Sequence, residues 1–153
     1  MYVCGPTVYD FAHIGNARPV VVFDLFYRMF LQSYGEANVT YVRNFTDVDD
    51  KINERAKKLG IKISELTNNT IEDYLFDMDS LGALRPNFMP RATDYIEHMI
   101  EMINKLIGSN NAYSDNDGHV LFSVSTFRNY GQLSRRTIEE MKAGARVEVA
   151  ENK

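Results

Sequence analysis

Residues 20–34 constrain this chain more than any other stretch. Val20, Val21, Val22, Phe23, Leu25, Phe26, Met29, Phe30 and Leu31 crowd a segment that ends at Gly35, the usual residue just past a helix. A helix this apolar on nearly every side is predicted to be buried against a sheet and other helices. Strand-like runs flank it: residues 1–4 before, and the β-branched, aromatic Val39-Thr40-Tyr41-Val42 after. Asn16 reads as the helix N-cap, and Pro19 falls in the first turn, where its missing N–H does no harm. A second loop, 44–50, leads into a helix over 51–59 stopped by Gly60. The first sixty residues therefore read strand, loop, helix, strand, loop, helix. That is an α/β pattern, a βαβ unit whose two loops share one edge of a parallel sheet. Ligands of such sheets bind in the crevice beyond the strand ends.

Further along, Ser64 is expected to cap a helix reaching Leu81, ended by Gly82. Arg85-Pro86 and Met89-Pro90 mark a loop. Ile96, Ile100, Ile103 and Ile107 at helical spacing predict a helix over about 93–107. Asn116-Asp117-Gly118 between two short strand-like runs is a hairpin signal. Ser134 is expected to cap a short helix to Lys142, and residues 146–149 read as one more strand, without a partner. With two clear strands the parallel sheet looks unfinished. The abrupt opening on a strand, with no polar leader, is expected of a piece of a longer chain.

The composition, 44% hydrophobic and 25% charged in 153 residues, is that of an ordinary globular domain. No apolar run approaches the roughly 20 residues that span a bilayer, so a membrane protein is not expected. A single cysteine forms no internal disulfide, and a reducing cytoplasm is the expected home. The net charge of −4 argues against a nucleic-acid binder driven by overall basicity. Arg18, Arg28, Arg43, Lys51, Arg55, Lys57 and Lys58 in the first third still allow a local basic face, although scattered solvated charges are the simpler reading.

Two loops carry the residues with chemistry to offer. In the first, His13-Ile14-Gly15-Asn16 stands at a helix start, where free N–H groups and the helix dipole favour phosphate. Gly15 admits a ligand close to the backbone, and His13 is able to donate to phosphate oxygens. The same four residues also fit a plain polar loop. Cys4, taken alone, reads as a small buried hydrophobe. In the second loop Asp47, Asp49 and Asp50 read either as a Mg²⁺ cluster or, more simply, as helix caps and dipole partners.

Longer strings narrow these choices. Cys4-Gly5-Pro6-Thr7-Val8-Tyr9-Asp10, His13-Ile14-Gly15-Asn16-Ala17-Arg18, Asn44-Phe45-Thr46-Asp47-Val48-Asp49-Asp50-Lys51-Ile52, Arg85-Pro86 with Pro90-Arg91-Ala92-Thr93, and Gly144-Ala145-Arg146-Val147 occur in order. Together they resemble the cysteinyl-tRNA synthetases, a family of class I aminoacyl-tRNA synthetases, over essentially the whole chain. His13-Ile14-Gly15-Asn16 resembles the class I HIGH signature with Asn at its last position, an amide in place of an imidazole.

The resemblance implies a Rossmann-like parallel-sheet nucleotide-binding fold. Residues 1–107 would form the first half of the catalytic domain and 108–153 part of an inserted connective segment. The family's KMSKS signature and anticodon-binding part have no counterpart here, so a fragment inactive by itself is expected. The implied reaction joins cysteine to ATP as cysteinyl-adenylate and then transfers it to tRNA-Cys. Thr7, His13, Gly15 and Asn16 would face ATP, with His13 and Asn16 catalytic. Cys4, Gly5 and Thr46 would face the cysteine substrate. Cys4 would also be one ligand of a Zn²⁺ whose other ligands lie outside this chain, and Mg²⁺ would accompany ATP. A metal-bound thiolate separates cysteine from serine, whose hydroxyl is harder to ionise and a poorer soft ligand. His98 and His119 match no zinc-ligand motif and read as structural.

Two rivals remain. One is the related ligase that joins cysteine to a glucosamine-inositol sugar in mycothiol synthesis. The other is a non-catalytic truncated paralogue that binds tRNA or a partner. A full-length protein is expected to be a monomer, whereas this chain, with strands lacking neighbours, is expected to expose apolar surface and self-associate.

Overall fold

The computed structural model describes residues 1–143. The expected strand at 146–149 and the Gly-Ala-Arg-Val string lie outside the described residues. The chain divides into two compact units, Met1–Ile96 and Glu97–Lys153.

In the first unit, strand β1 (Tyr2–Val3) pairs parallel with β2 (Val42–Arg43), Tyr2 opposite Val42 and Val3 opposite Arg43. Beyond the strand ends the pairing continues as a parallel bridge between Thr7 and Thr46. The segment expected as a loop around Met89-Pro90 instead runs parallel beside β2, with bridges Val42–Phe88 and Phe45–Arg91. Phe45 N–H donates to the Pro90 carbonyl at 2.8 Å, and the proline's missing donor is tolerated because it sits on the edge. The parallel sheet thus has two strands and a bridged edge segment. A wider Rossmann-like sheet is not present among the described residues.

Helix α1 (Ile14–Tyr34) connects the two strands. It begins two residues before the expected N-cap: His13 takes that role, Asn16 lies in the first turn, and Pro19 falls inside the helix. Its burial is also narrower than expected. Ala17, Val20, Asp24 and Tyr27 are buried, whereas Leu25 and Met29 remain 61% and 56% exposed, so only one face packs within the described residues. A 3-10 turn at Glu36–Asn38 delays β2 to Val42, later than the β-branched run suggested.

Helix α2 (Asp50–Leu59) starts on Asp49, whose carboxylate accepts from Lys51 N–H at 2.9 Å, and stops at Gly60 in the left-handed region. Helix α3 (Ile63–Ser80) has Lys62 before it and no side-chain cap, so the expected cap Ser64 lies inside the helix. The core is built from Val8, Ala17, Val20, Phe45, Ile71, Tyr74 and Met78, with Phe45 and Tyr74 edge to face at 5.8 Å. Val3, Tyr27 and Tyr41 pack in a second cluster, and Ile52, Ala56 and Leu66 seat α2 on α3 in a third. Buried Asp24 pairs with Arg28 at 2.7 Å and accepts from Leu84 N–H at 2.8 Å, tying α1 to the turn after α3.

After a 3-10 turn at Ala92–Tyr95, α4 (Ile96–Gly108) leads into the second unit. Strands β3 (Ala112–Ser114) and β4 (Val120–Phe122) form the expected antiparallel hairpin, Tyr113 opposite Leu121. Helix α5 (Ile138–Ala143) is capped by Thr137, not Ser134: Glu140 N–H donates to Thr137 Oγ1 and Thr137 N–H to the Glu140 carboxylate.

Candidate functional site

The two loops leave the sheet at the same end and are stitched together there. Thr46 N–H donates to the Pro6 carbonyl at 3.0 Å, and Val8 N–H to the Thr46 carbonyl at 3.1 Å. Gly5 is held tighter still. A Cβ at this position would run into the Asn44 carbonyl oxygen, so no other residue fits without moving backbone. The Asn44 amide completes the knot, its Oδ1 accepting from Gly5 N–H at 3.0 Å and its Nδ2 donating to Thr46 Oγ1 at 3.4 Å. Asn44 therefore ties Gly5 to Thr46 at one strand end, with Cys4 next to Gly5 in the chain. The sequence reading gave Asn44 no role. The available signal was a polar amide closing a β-branched, aromatic run.

Cys4 itself is exposed, not the buried hydrophobe that a lone cysteine suggests, and its thiol donates to the Gly5 carbonyl at 3.6 Å. An exposed thiol is suited to be one zinc donor, but a zinc site needs about four. Among the described residues, no group of three or more His, Cys, Asp or Glu side chains includes Cys4. Cys4 would be one such donor, and the described residues do not supply the other three.

The first loop turns into α1 through a reciprocal cap. Gly15 N–H donates to His13 Nδ1 at 3.0 Å, and His13 N–H donates to Asn16 Oδ1 at 2.8 Å. Gly15 matters here because an added Cβ would lie 3.2 Å from that ring nitrogen. An accepting Nδ1 carries no proton, so the neutral ring carries it on Nε2. Asn16, with its oxygen engaged, has its Nδ2 donors left to offer. The corner thus keeps one imidazole N–H and one amide available for hydrogen bonding.

A cavity of about 230 Å³ opens beside this corner. The loop from Pro6 to Ala12 lines it together with Asn16 and, from α3, Thr70 and Tyr74. Thr7 and Asn16 share this cavity. His13, Gly15, Cys4, Gly5 and Thr46 are not among its lining residues. Farther round the loop, Arg55 of α2 pairs with Asp10 at 3.2 Å, and Lys51 Nζ lies 5.5 Å from the centre of the Tyr9 ring.

The second loop's acids do not gather round a metal. Buried Asp47 accepts from Thr93 N–H at 3.0 Å and Thr93 Oγ1 at 2.6 Å, Asp49 caps α2, and Asp50 begins it. In the second unit Asp115, Asp117 and His119 come together on the hairpin. Burial pushes the Asp115 carboxyl up, but hydrogen bonds from His119 and the Asp117 backbone hold it below the ordinary carboxylate range. This is the geometry of a hairpin turn: the amides of Asp117 and His119 both donate to Asp115 Oδ1.

All 153 residues match the family described as tRNA synthetases class I (C) catalytic domain. The chain belongs to this family. It is 61% identical to the cysteine–tRNA ligase of Ruegeria sp. (strain TM1040), over 98% of its own length and 33% of that protein's. To those of Ruegeria pomeroyi and Caulobacter vibrioides it is 58% and 55% identical, again over 98% of its length and 32% of theirs. The chain therefore spans about a third of the length of the curated relatives it matches. Membership in this synthetase family agrees with the mixed α/β fold and with the resemblance carried by the loop strings. No helix among the described residues is long and apolar enough to cross a membrane.

Proposed function

We propose that this chain carries the adenylate-forming corner of a cysteine–tRNA ligase. The observation that carries the reading is the knot at the strand ends: an exposed thiol at Cys4 beside a glycine that tolerates no side chain, bound through Asn44 to the Thr46 hydroxyl. Cys4, Gly5 and Thr46 would receive cysteine. Thr7, His13, Gly15 and Asn16 would receive ATP at the start of α1, where the helix dipole attracts phosphate. The relatives' name, cysteine–tRNA ligase, supports cysteine and tRNA as the substrates, and ATP and tRNA-Cys belong to the proposed reaction.

In the proposed reaction the cysteine carboxylate attacks the α-phosphorus of ATP and pyrophosphate leaves. A ribose hydroxyl at the tRNA 3′ end then takes the cysteinyl group from the adenylate. His13 Nε2–H and Asn16 Nδ2 donate to phosphate oxygens as charge grows on them, while the cap holds both side chains in place. No side chain of this chain becomes covalently modified. Zinc, with Cys4 as one ligand, would supply selectivity for a thiolate over a hydroxyl. Mg²⁺ would arrive with the triphosphate and is assigned no carboxylate here. We place the reaction in the cytoplasm, in a Rossmann-like sheet completed by further chain, with residues 1–107 its first half and 108–153 part of the connective segment.

Cysteine-dependent ATP–pyrophosphate exchange tests this. A protein of the relatives' full length that begins with this sequence should exchange, and His13→Ala should lower its rate roughly 10²–10³-fold. The 153-residue chain alone should be silent. Exchange that is indifferent to His13, or absent from the full-length protein, would overturn the reading. Transfer of labelled cysteine to a glucosamine-inositol amine instead of tRNA would favour the mycothiol-type ligase.

A further inference from the structure

The core beneath β2 holds a positive charge that no acid among the described residues pairs with. Arg43 is only 4% exposed, and arginine cannot shed its proton to escape burial. Its Nη1 donates to the Tyr74 hydroxyl at 3.2 Å, and its Cζ lies 5.6 Å from the centre of the Tyr41 ring. Neither partner is a carboxylate, and burial pushes the Tyr41 phenol up against the pull of Arg43. Nε and Nη2 are buried and have no acceptor among the described residues.

Those two nitrogens share one edge of the guanidinium, the edge that Arg85 presents to the carboxylate of Asp79. Two parallel N–H groups therefore converge on one point. The neighbouring acids are already engaged, Asp24 with Arg28 and Leu84, Asp79 with Arg85. Beside Arg43 lies a cavity of about 20 Å³ lined by Val20, Tyr41, Tyr74 and Met78, among others. Asp79 and Arg85, paired with each other, also border it, and it has room for one small species such as a water or a halide. A buried cation with unpaired donors is destabilising; a water accepts their hydrogen bonds, whereas an anion accepts them and offsets the charge as well.

We propose that the Nε–Nη2 edge of Arg43 binds a single monatomic anion, chloride in ordinary solution. The site lies in the core and does not depend on the ligase reading. Thermal unfolding of this chain in sodium chloride and in sodium gluconate at equal ionic strength tests it. Chloride should raise the midpoint saturably, by roughly 3–7 °C at tenfold excess over its dissociation constant. Arg43→Met should abolish the difference between the two salts. Crystals grown in bromide should show an anomalous peak within hydrogen-bond distance of both nitrogens, a measurement that stands even if the variant fails to fold. Equal midpoints in the two salts, a chloride response that survives Arg43→Met, or a water without anomalous signal at that position would each overturn the proposal.

Discussion

Gly5 shows how much one missing side chain decides. Its backbone lies so close to the Asn44 carbonyl that Gly5→Ala must push β1 and β2 apart at the end where Cys4 and Thr46 meet. We expect a loss of about 1–3 kcal/mol, read as a lower denaturant midpoint with little change in slope. On the proposed function, the same change in a full-length protein should weaken cysteine binding more than ATP binding, because Thr7 and Asn16 border a cavity that Gly5 does not line. Gly5 was legible through the resemblance, as a residue facing the cysteine substrate. Its contact with Asn44 was not legible, since it arises from the pairing of strands some forty residues apart. His13 was legible as a phosphate donor, whereas its role as N-cap was hidden: an imidazole is an uncommon cap, and Asn16 is a better one by residue type.

Among the elements, α1 departs most from its sequence. The run over 20–34 predicted burial on nearly every side, yet Val21, Val22, Leu25, Phe26 and Met29 lie on exposed positions. The pattern was read correctly as apolar, but what covers such a face is a property of neighbours and not of the helix. An uncovered stripe of this kind drives association. This chain is expected to elute above its monomer mass and to bind an apolar dye, and a double change Leu25→Glu and Met29→Glu should restore the monomer without lowering the unfolding midpoint. Light scattering on the two forms checks this. The hairpin β3–β4 and the stop of α2 at Gly60 were legible because local turn chemistry sets them. The pairing of Phe88 to Arg91 alongside β2 was not, because two prolines there spoke for a loop.

For the molecule as a whole, charge sets the pH range of stability. Arg85 holds Asp79 below the ordinary carboxylate range, and hydrogen bonds do the same for Asp115 against its burial. Lowered carboxylates stabilise the fold above their unfolded value of 3.8 and lose that contribution as pH falls through the folded one. Tyr41 acts in the opposite sense: burial raises it above 10.0, so its contribution is present below that value and lost as pH rises through the folded one. The unfolding midpoint should therefore plateau between these limits and fall on both sides, and Arg85→Gln should soften the acid slope. The family was legible because its strings lie in loops, where chemistry dictates residue identity, while the extent of the sheet depends on strands not found among the described residues. The corner at the start of α1 also has a definite polarity. His13 Nδ1 and Asn16 Oδ1 each accept on the cap, so what these two side chains have left to offer is N–H donors. Such a pair of donors welcomes an oxyanion and gives a bare cation no lone pair to bind.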